Sequence, residues 1–288
     1  MMNKIIAFLL IAFSTISVKA KDLDAYVIYT SDGKKVDFFK MMKELEDKKF
    51  VFFGELHNNP ISHWLQFEVT KKLYNKHKSR LVLGAEMFEA DNQYIIDEYL
   101  QGKISASSFQ DEVRLWPNYD TDYKPLMEFA KAQGLYFVAT NVPRRYASMA
   151  YKQGIDSLKT LSNTALQYIA PLDNFKFDST VNCYRKMIHE FGSHGGVNIA
   201  TAQALKDATM AHFILKNYSN RNVFLHFNGA YHSDFHEGII HYLKKEVNED
   251  KIITISTVSQ ESTDELEKAY YESADFIICV PETMTTTH

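Results

Sequence analysis

Six short apolar, β-branched or aromatic runs alternate with helical patterns along the chain, and this alternation constrains the fold more than any other feature. The runs fall at residues 49–53, 80–85, 135–140, 222–227, 251–257 and 274–280. Each has the length and composition of a buried strand. Helical patterns lie between them, for example at 61–77 and 123–133. Strands separated by helices are too far apart in sequence for tight hairpins, so they pair in parallel with helices on both faces. The expected fold is therefore α/β, a mostly parallel sheet flanked by helices. Residues 26–30, before the Ser31-Asp32-Gly33 turn, read as a small hairpin arm leading into a helix at 38–47.

The interval between the third and fourth runs breaks the rhythm. Segments 145–151, 165–168, 179–191 and 198–216 all read as helices, and no convincing strand lies among them. We expect a helical insertion or lid subdomain at about 142–220 within a single domain spanning 21–281. No internal repeat is present. The Thr-rich segment 282–288 reads as a disordered tail.

Residues 1–4 form a short basic stretch and 5–18 an apolar run, followed by Val18-Lys19-Ala20. The run is shorter than the roughly 20 residues of a membrane span. It reads as a secretory signal at 1–20, cleaved after Ala20. Export permits disulfides, but the chain holds only Cys183 and Cys279, and Cys279 sits in a strand-like apolar run. No Cys-x-x-Cys-His motif exists for covalent haem attachment. A formal charge of -4 provides no basic excess to neutralise phosphates, which argues against nucleic acid as a partner.

The chemistry collects where the strands end. The first run leads into Gly54-Glu55-Leu56-His57, the second into Glu86-Met87-Phe88-Glu89, the third into Asn141-Val142-Pro143-Arg144 and the fourth into Asn228-Gly229-Ala230-Tyr231-His232. In an open parallel sheet the carboxyl ends of the strands border the ligand crevice. Glu55, Asn141 and Asn228 are thus cleft candidates. His57, Glu86 and His232 form a candidate imidazole–carboxylate metal set. Two tetrads share one pattern, Gly54-x-x-His57 and Gly229-x-x-His232. Bland roles stand beside these: Glu55 and Glu86 near helix N-termini, His57 as a core residue, Asn141 as a turn former. His232 and His236, four apart, could share a helix face as ligands, whereas His63, His77, His212 and His241 read as surface residues.

With these residues in view, the chain resembles the ChaN-like haem-binding family of exported bacterial proteins. The resemblance runs from Phe53-Gly54-Glu55-Leu56-His57-Asn58-Asn59-Pro60 and Leu83-Gly84-Ala85-Glu86-Met87-Phe88, with Asp91 and Gln93, through Trp116, Tyr123-Lys124-Pro125-Leu126 and Ala139-Thr140-Asn141-Val142-Pro143-Arg144. It continues through Ala202-Gln203, Asp207 and Met210-Ala211 to Asn228-Gly229-Ala230-Tyr231-His232 and Ala274-Asp275-Phe276. The resemblance implies haem as ligand, bound in a site shared by a homodimer. It also implies a role in iron acquisition at the cell envelope, with an outer-membrane haem receptor as a conceivable partner. Family members are typically lipoproteins; this chain lacks the lipobox cysteine, so a free periplasmic form is also expected. Similar glycine-histidine tetrads occur in Tiki/TraB-type metalloproteases and erythromycin-esterase-like enzymes.

Haem needs an apolar slot, an axial ligand and cations for its propionates. The candidates are Tyr119 and Tyr123 in the exposed-looking Trp116–Tyr123 loop, His189 and the glycine-flanked His194 in the insertion, and Arg144 for a carboxylate. The alternative is a divalent-metal-dependent hydrolase, with the metal on His57, Glu86 and His232 and Glu55 as general base.

Overall fold

The computed structural model of the chain describes residues 23–192 and 195–288. The expected signal segment 1–20 and the candidate His194 lie outside the described residues. The elements run β1 (Val27–Thr30), β2 (Lys35–Val36), α1 (Phe38–Leu45), β3 (Phe50–Glu55), α2 (Pro60–His77), β4 (Leu81–Glu89), α3 (Gln93–Leu100), α4 (Ala106–Glu112), α5 (Lys124–Gln133) and β5 (Tyr136–Asn141). Then follow α6 (Arg144–Gln153), α7 (Asn163–Leu166), α8 (Asn182–Phe191), α9 (Gly196–Lys216), β6 (Val223–Gly229), α10 (Ile239–Leu243), β7 (Ile252–Gln260) and β8 (Phe276–Pro281).

The eight strands form one sheet in the order β2-β1-β8-β7-β3-β6-β4-β5. Pairing is parallel from β8 to β5 and antiparallel only in the β1–β2 arm and its join to β8. The chain is thus α/β, as its alternation of runs predicts. Successive side chains of a strand point to opposite faces, and β3 shows the consequence. Val51 and Phe53 join the side chains of α1, α2, α3 and α5 in one core, whereas Phe50 and Phe52 join those of α9 and α10 in another. Because both faces are covered, the central strands are apolar without alternation.

Local signals set the element ends that matter for function. Asn59 caps α2 by accepting from the Ser62 N–H at 3.0 Å, and Pro60 opens the helix where a missing N–H costs nothing. The chain is therefore forced to turn immediately after His57. Strand β4 pairs with β6 only as far as Ala85, and its register with β5 slips between Ala85 and Glu89. This irregularity opens space at the carboxyl edge, where Glu86 sits.

Between β5 and β6 the chain builds α6–α9 and no strand among the described residues. Small apolar clusters around Tyr146, Leu158 and Leu205, and around Tyr184 and Ala204, hold this region together. Both cysteines are buried and free. The segment after Pro281, expected to be disordered, instead folds back onto the β3–α2 turn. There the Thr287 N–H donates to Asn58 O at 2.9 Å and its hydroxyl to Asp122 at 2.7 Å. Buried polar groups at that turn provide anchors that the tail's low-complexity composition does not reveal.

The outer strand β5 has a side chain where a further strand would pair. Gln93 donates to Phe137 O at 3.0 Å and accepts from the Ala139 N–H at 2.6 Å. The amide thus satisfies both backbone groups and blocks edge pairing. Gln93→Ala is expected to lower stability by about 1–2 kcal/mol in urea unfolding and to increase self-association by light scattering. An unchanged midpoint would contradict this role.

Candidate functional site

A cavity of about 870 Å³ opens at the carboxyl ends of β3, β4, β5 and β6. Its floor and walls include Glu55, His57, Glu86, Asn141, Gly229 and His232. One wall is apolar, from Leu56, Leu115, Trp116, Pro117, Val142 and Ala147, and the rim carries Arg144, Lys206 and Tyr231. The convergence expected from the strand ends is therefore real.

A buried carboxylate must be paired or it remains neutral. Glu86, on β4, accepts from the Gly229 N–H at 2.7 Å and faces His232 Nε2 at 3.1 Å. The other ring nitrogen of His232 lies 2.5 Å from Asp207 Oδ1 on α9, and Tyr184 of α8 donates to Asp207 Oδ2 at 2.7 Å. One imidazole thus ties β4, β6 and α9 together. Burial would discharge His232, but the charges of Glu86 and Asp207 outweigh it and push its pKa up to about 10. Burial would likewise raise Glu86, yet the His232 charge and the hydrogen bonds from His232 and Gly229 hold it far below the usual carboxylate range.

The second unit lies across Gly229. His57 Nδ1 is 2.9 Å from Glu55 Oε1, which also accepts from Tyr123 OH at 2.6 Å; Gln66 donates to Glu55 Oε2. A Cβ on Gly229 would fall 2.6 Å from His57 Nε2 and 3.5 Å from Glu86 Oε2. Only glycine allows this imidazole to lie over the β6 end. Trp116 packs edge-on against the His57 ring with centroids 4.8 Å apart. Burial disfavours a charge on His57, but the Glu55 hydrogen bond and the charges of Glu86 and Glu55 prevail and raise its pKa.

The structure corrects several sequence expectations. Glu86, His57 and His232 do meet, but both nitrogens of His232 already face carboxylates. Among the described residues no group of three or more His, Cys, Asp or Glu side chains is set to hold a metal ion. His232 and His236 share no helix face, because the backbone at Phe235 and His236 takes positive φ values of 58° and 55°. His236 instead turns to Thr254 and Asp275.

The two loop tyrosines are not exposed. Tyr119 packs against Phe88 and Phe109, and Tyr123 lies buried on Glu55, where burial and that carboxylate push its phenol far above its usual pKa. Both rings are buried rather than presented on the surface. His189 is exposed on α8 and does not line the cavity. Arg144 stands at the rim, paired with Glu89. Asn141 lines the cavity with an unpartnered Oδ1. Asn228 is turned away under the strand end, bonded to His226, Gly229 O and Ser233.

Some contributors were missed. His63 and His77, read as surface residues, are buried, and His63 lies behind His57 within 3.3 Å of Asp122. Gln66 was also overlooked. Ser62, Gln66 and Thr70 recur every four residues on the buried face of α2, beside Leu65, Val69 and Leu73. A polar stripe within an apolar face is the sequence signal that could have found them.

Two outcomes follow from this geometry. His232→Asn should cost about 3 kcal/mol or more at pH 6.5, since it leaves Glu86 and Asp207 buried without their cation. The raised pKa gives a stabilisation fully present below the ordinary imidazole value, declining as pH rises and lost near pH 10. Urea unfolding of wild type and variant should therefore converge as pH approaches 10; a pH-independent gap would contradict the bridge. Gly229→Ala should displace the His57 ring, read as a change in Trp116 fluorescence in a Trp64→Phe background.

Comparison with known proteins gives the site its context. The structure is similar to that of ChaN from Campylobacter jejuni, described for cofacial haem binding, with 17% identity and a TM-score of 0.62 over 88% of this chain and 96% of that one. A Bacillus cereus protein (TM-score 0.51, 9% identity, 84% of this chain and 90% of that one) and a succinoglycan biosynthesis protein (0.50, 11%, 84% and 90%) share the architecture. At these identities the likeness is one of fold. No curated protein sequence matches the chain. A family model does, over residues 41–243, which include every strand-end block of the cavity: the chain belongs to the ChaN family of haem-binding uptake proteins in the Tiki superfamily.

Proposed function

We propose that the protein binds haem across the mouth of the carboxyl-edge cavity and carries it in iron acquisition at the cell envelope after export. The observation that carries this reading is the division of the site's surface. Its acids are engaged by internal partners, whereas the open wall of Leu56, Leu115, Trp116, Pro117 and Val142 offers a porphyrin an apolar face. Arg144 and Lys206 stand on the rim, placed for propionates. Tyr231 is the cavity-lining tyrosine and is 43% exposed. Phenolate is a known axial ligand to haem iron, so we assign the axial role to Tyr231 rather than Tyr119 or Tyr123; to take it, the Tyr231 phenol must exchange its hydrogen bond to Cys183 O for the iron.

A homodimer that shares haem between two copies of this chain is part of this reading, in keeping with the cofacial haem binding described for the Campylobacter jejuni relative.

One observation favours hydrolysis as a second reading. The Nδ1 atoms of His57 and His232 each face a carboxylate, and His57 Nε2 turns toward Gly229 on the cavity floor. Because Glu55 is engaged by Tyr123, His57 and Gln66, the general-base role would fall to His57 rather than Glu55. Chelation and elemental analysis test whether any such activity needs the divalent metal.

Haemin titration of the chain from Lys21 onward should give a saturable Soret shift at micromolar protein. Arg144→Glu should weaken binding about tenfold. Tyr231→Phe should move the Soret position, and sedimentation should show a dimer forming with haem. No shift in the wild type would overturn haem binding. Unchanged spectra and affinity in both variants would place the haem elsewhere.

A further inference from the structure

Charged side chains from three stretches of chain meet where β4 leaves the sheet beside the cavity rim. Strand β4 slips register against β5 after Ala85 and pairs again at Glu89 and Asn141. Glu89 therefore ends the strand against the start of α6, whose first residue is Arg144. The Glu89 carboxylate is buried and shared. Arg144 donates through Nε to Oε1, and Arg114 through Nε to Oε2 at 2.8 Å. Arg114 also donates through Nη2 to Asp91 Oδ1, and Arg145 reaches Asp91 Oδ2 at 2.5 Å. The Arg145 guanidinium lies over the Tyr146 ring, 4.3 Å from its centroid. Three guanidiniums thus share two carboxylates. Arg114 immediately precedes Leu115, Trp116 and Pro117 of the apolar wall, and its backbone N–H donates to Asn92 Oδ1 at 3.2 Å.

A guanidinium matched one to one with a buried carboxylate has little charge left for a second anion, which that carboxylate repels. Here the Glu89 charge is divided between two cations, and the five groups together keep one positive charge in excess. We propose that Arg114 is a positioning residue for ligand recognition. By sharing Glu89 it leaves Arg144 available to a planar guest that bears carboxylates, so that the rim selects such a guest over its uncharged counterpart. This role rests on the haem reading, in which the carboxylates are the propionates. The Arg144 side chain is 60% exposed and that of Glu89 only 6%, so a ligand meets the cation and not its counter-ion. Lys206 on the same rim adds to the field. Arg114 also joins the two halves of the site, because one residue anchors the wall segment and the carboxylate that holds Arg144.

The test compares haemin with haemin dimethyl ester, in which both propionates are esterified. Binding is read by quenching of Trp116 on the cavity wall, in a Trp64→Phe parent. The parent should bind haemin about tenfold more tightly than the ester. Arg114→Gln should reduce that preference to about threefold or less, by weakening haemin alone. Adding Glu89→Gln, which keeps an acceptor for Arg144 but removes the charge, should restore the preference. An Arg114 that served only to hold the fold would lower both affinities together, and Glu89→Gln would not rescue it; either result overturns the proposal. Glu89→Gln alone should raise the preference above that of the parent. A fall there would also overturn the proposal, and this variant decides where Arg114→Gln fails to fold. Equal binding of the two porphyrins by the parent would leave haem binding standing and remove the role of Arg114. No quenching by haemin would overturn the haem reading itself, and the role of Arg114 with it.

Discussion

Charge buried at the ends of parallel strands is the constraint on which the rest of this structure depends. A carboxylate removed from water at Glu86 or Glu55 is strongly disfavoured unless cations and N–H donors surround it. The fold meets that demand by drawing partners from distant parts of the chain. His232 arrives from the end of β6 and Asp207 from α9; His57 comes from the turn after β3 and Gln66 from α2. These pairings explain why Gly229 has no side chain and why α9 of the helical region lies against the carboxyl edge. They also leave an apolar wall and a cationic rim facing outward, because the acids are consumed inside.

The same bookkeeping links the site to its periphery. The Glu86–His232–Asp207–Tyr184 series runs from the sheet into α8, and the Tyr231 phenol next to it donates to Cys183 O at 2.6 Å on the same helix. On the other side the Glu55 network reaches Asp122 and the tail. A ligand seated over the cavity thus touches groups that are anchored in both the helical region and the C-terminal segment. A planar guest would meet a preorganised surface on this side, which lowers the ordering cost of binding.

Much of this was legible in the sequence, and for physical reasons. Strand runs and helical periodicity gave the sheet class because burial on both faces leaves continuous apolar strands. The Gly54–His57 and Gly229–His232 tetrads marked the site because an ionisable group at the tip of an apolar strand requires partners. What sequence could not show was which partner each group takes. Tyr123 looked like a ligand on an exposed loop, but pairing with Glu55 buries it. Asn228 sat in the right motif, but its amide is spent on the turn. His63 looked like a surface residue because α2 lacks a clean apolar stripe. Its partners, Asp122 and Glu55, are 59 and eight residues away and meet it only in the folded chain.

The central claim is that Glu86 and His232 act as one buried unit joining β4 to β6. A double-mutant cycle with Glu86→Gln and His232→Asn, read by urea unfolding near neutral pH, measures that coupling directly. The account predicts a coupling energy of at least about 1 kcal/mol, with the double variant less damaged than the sum of the singles. Simple additivity of the two losses would contradict it.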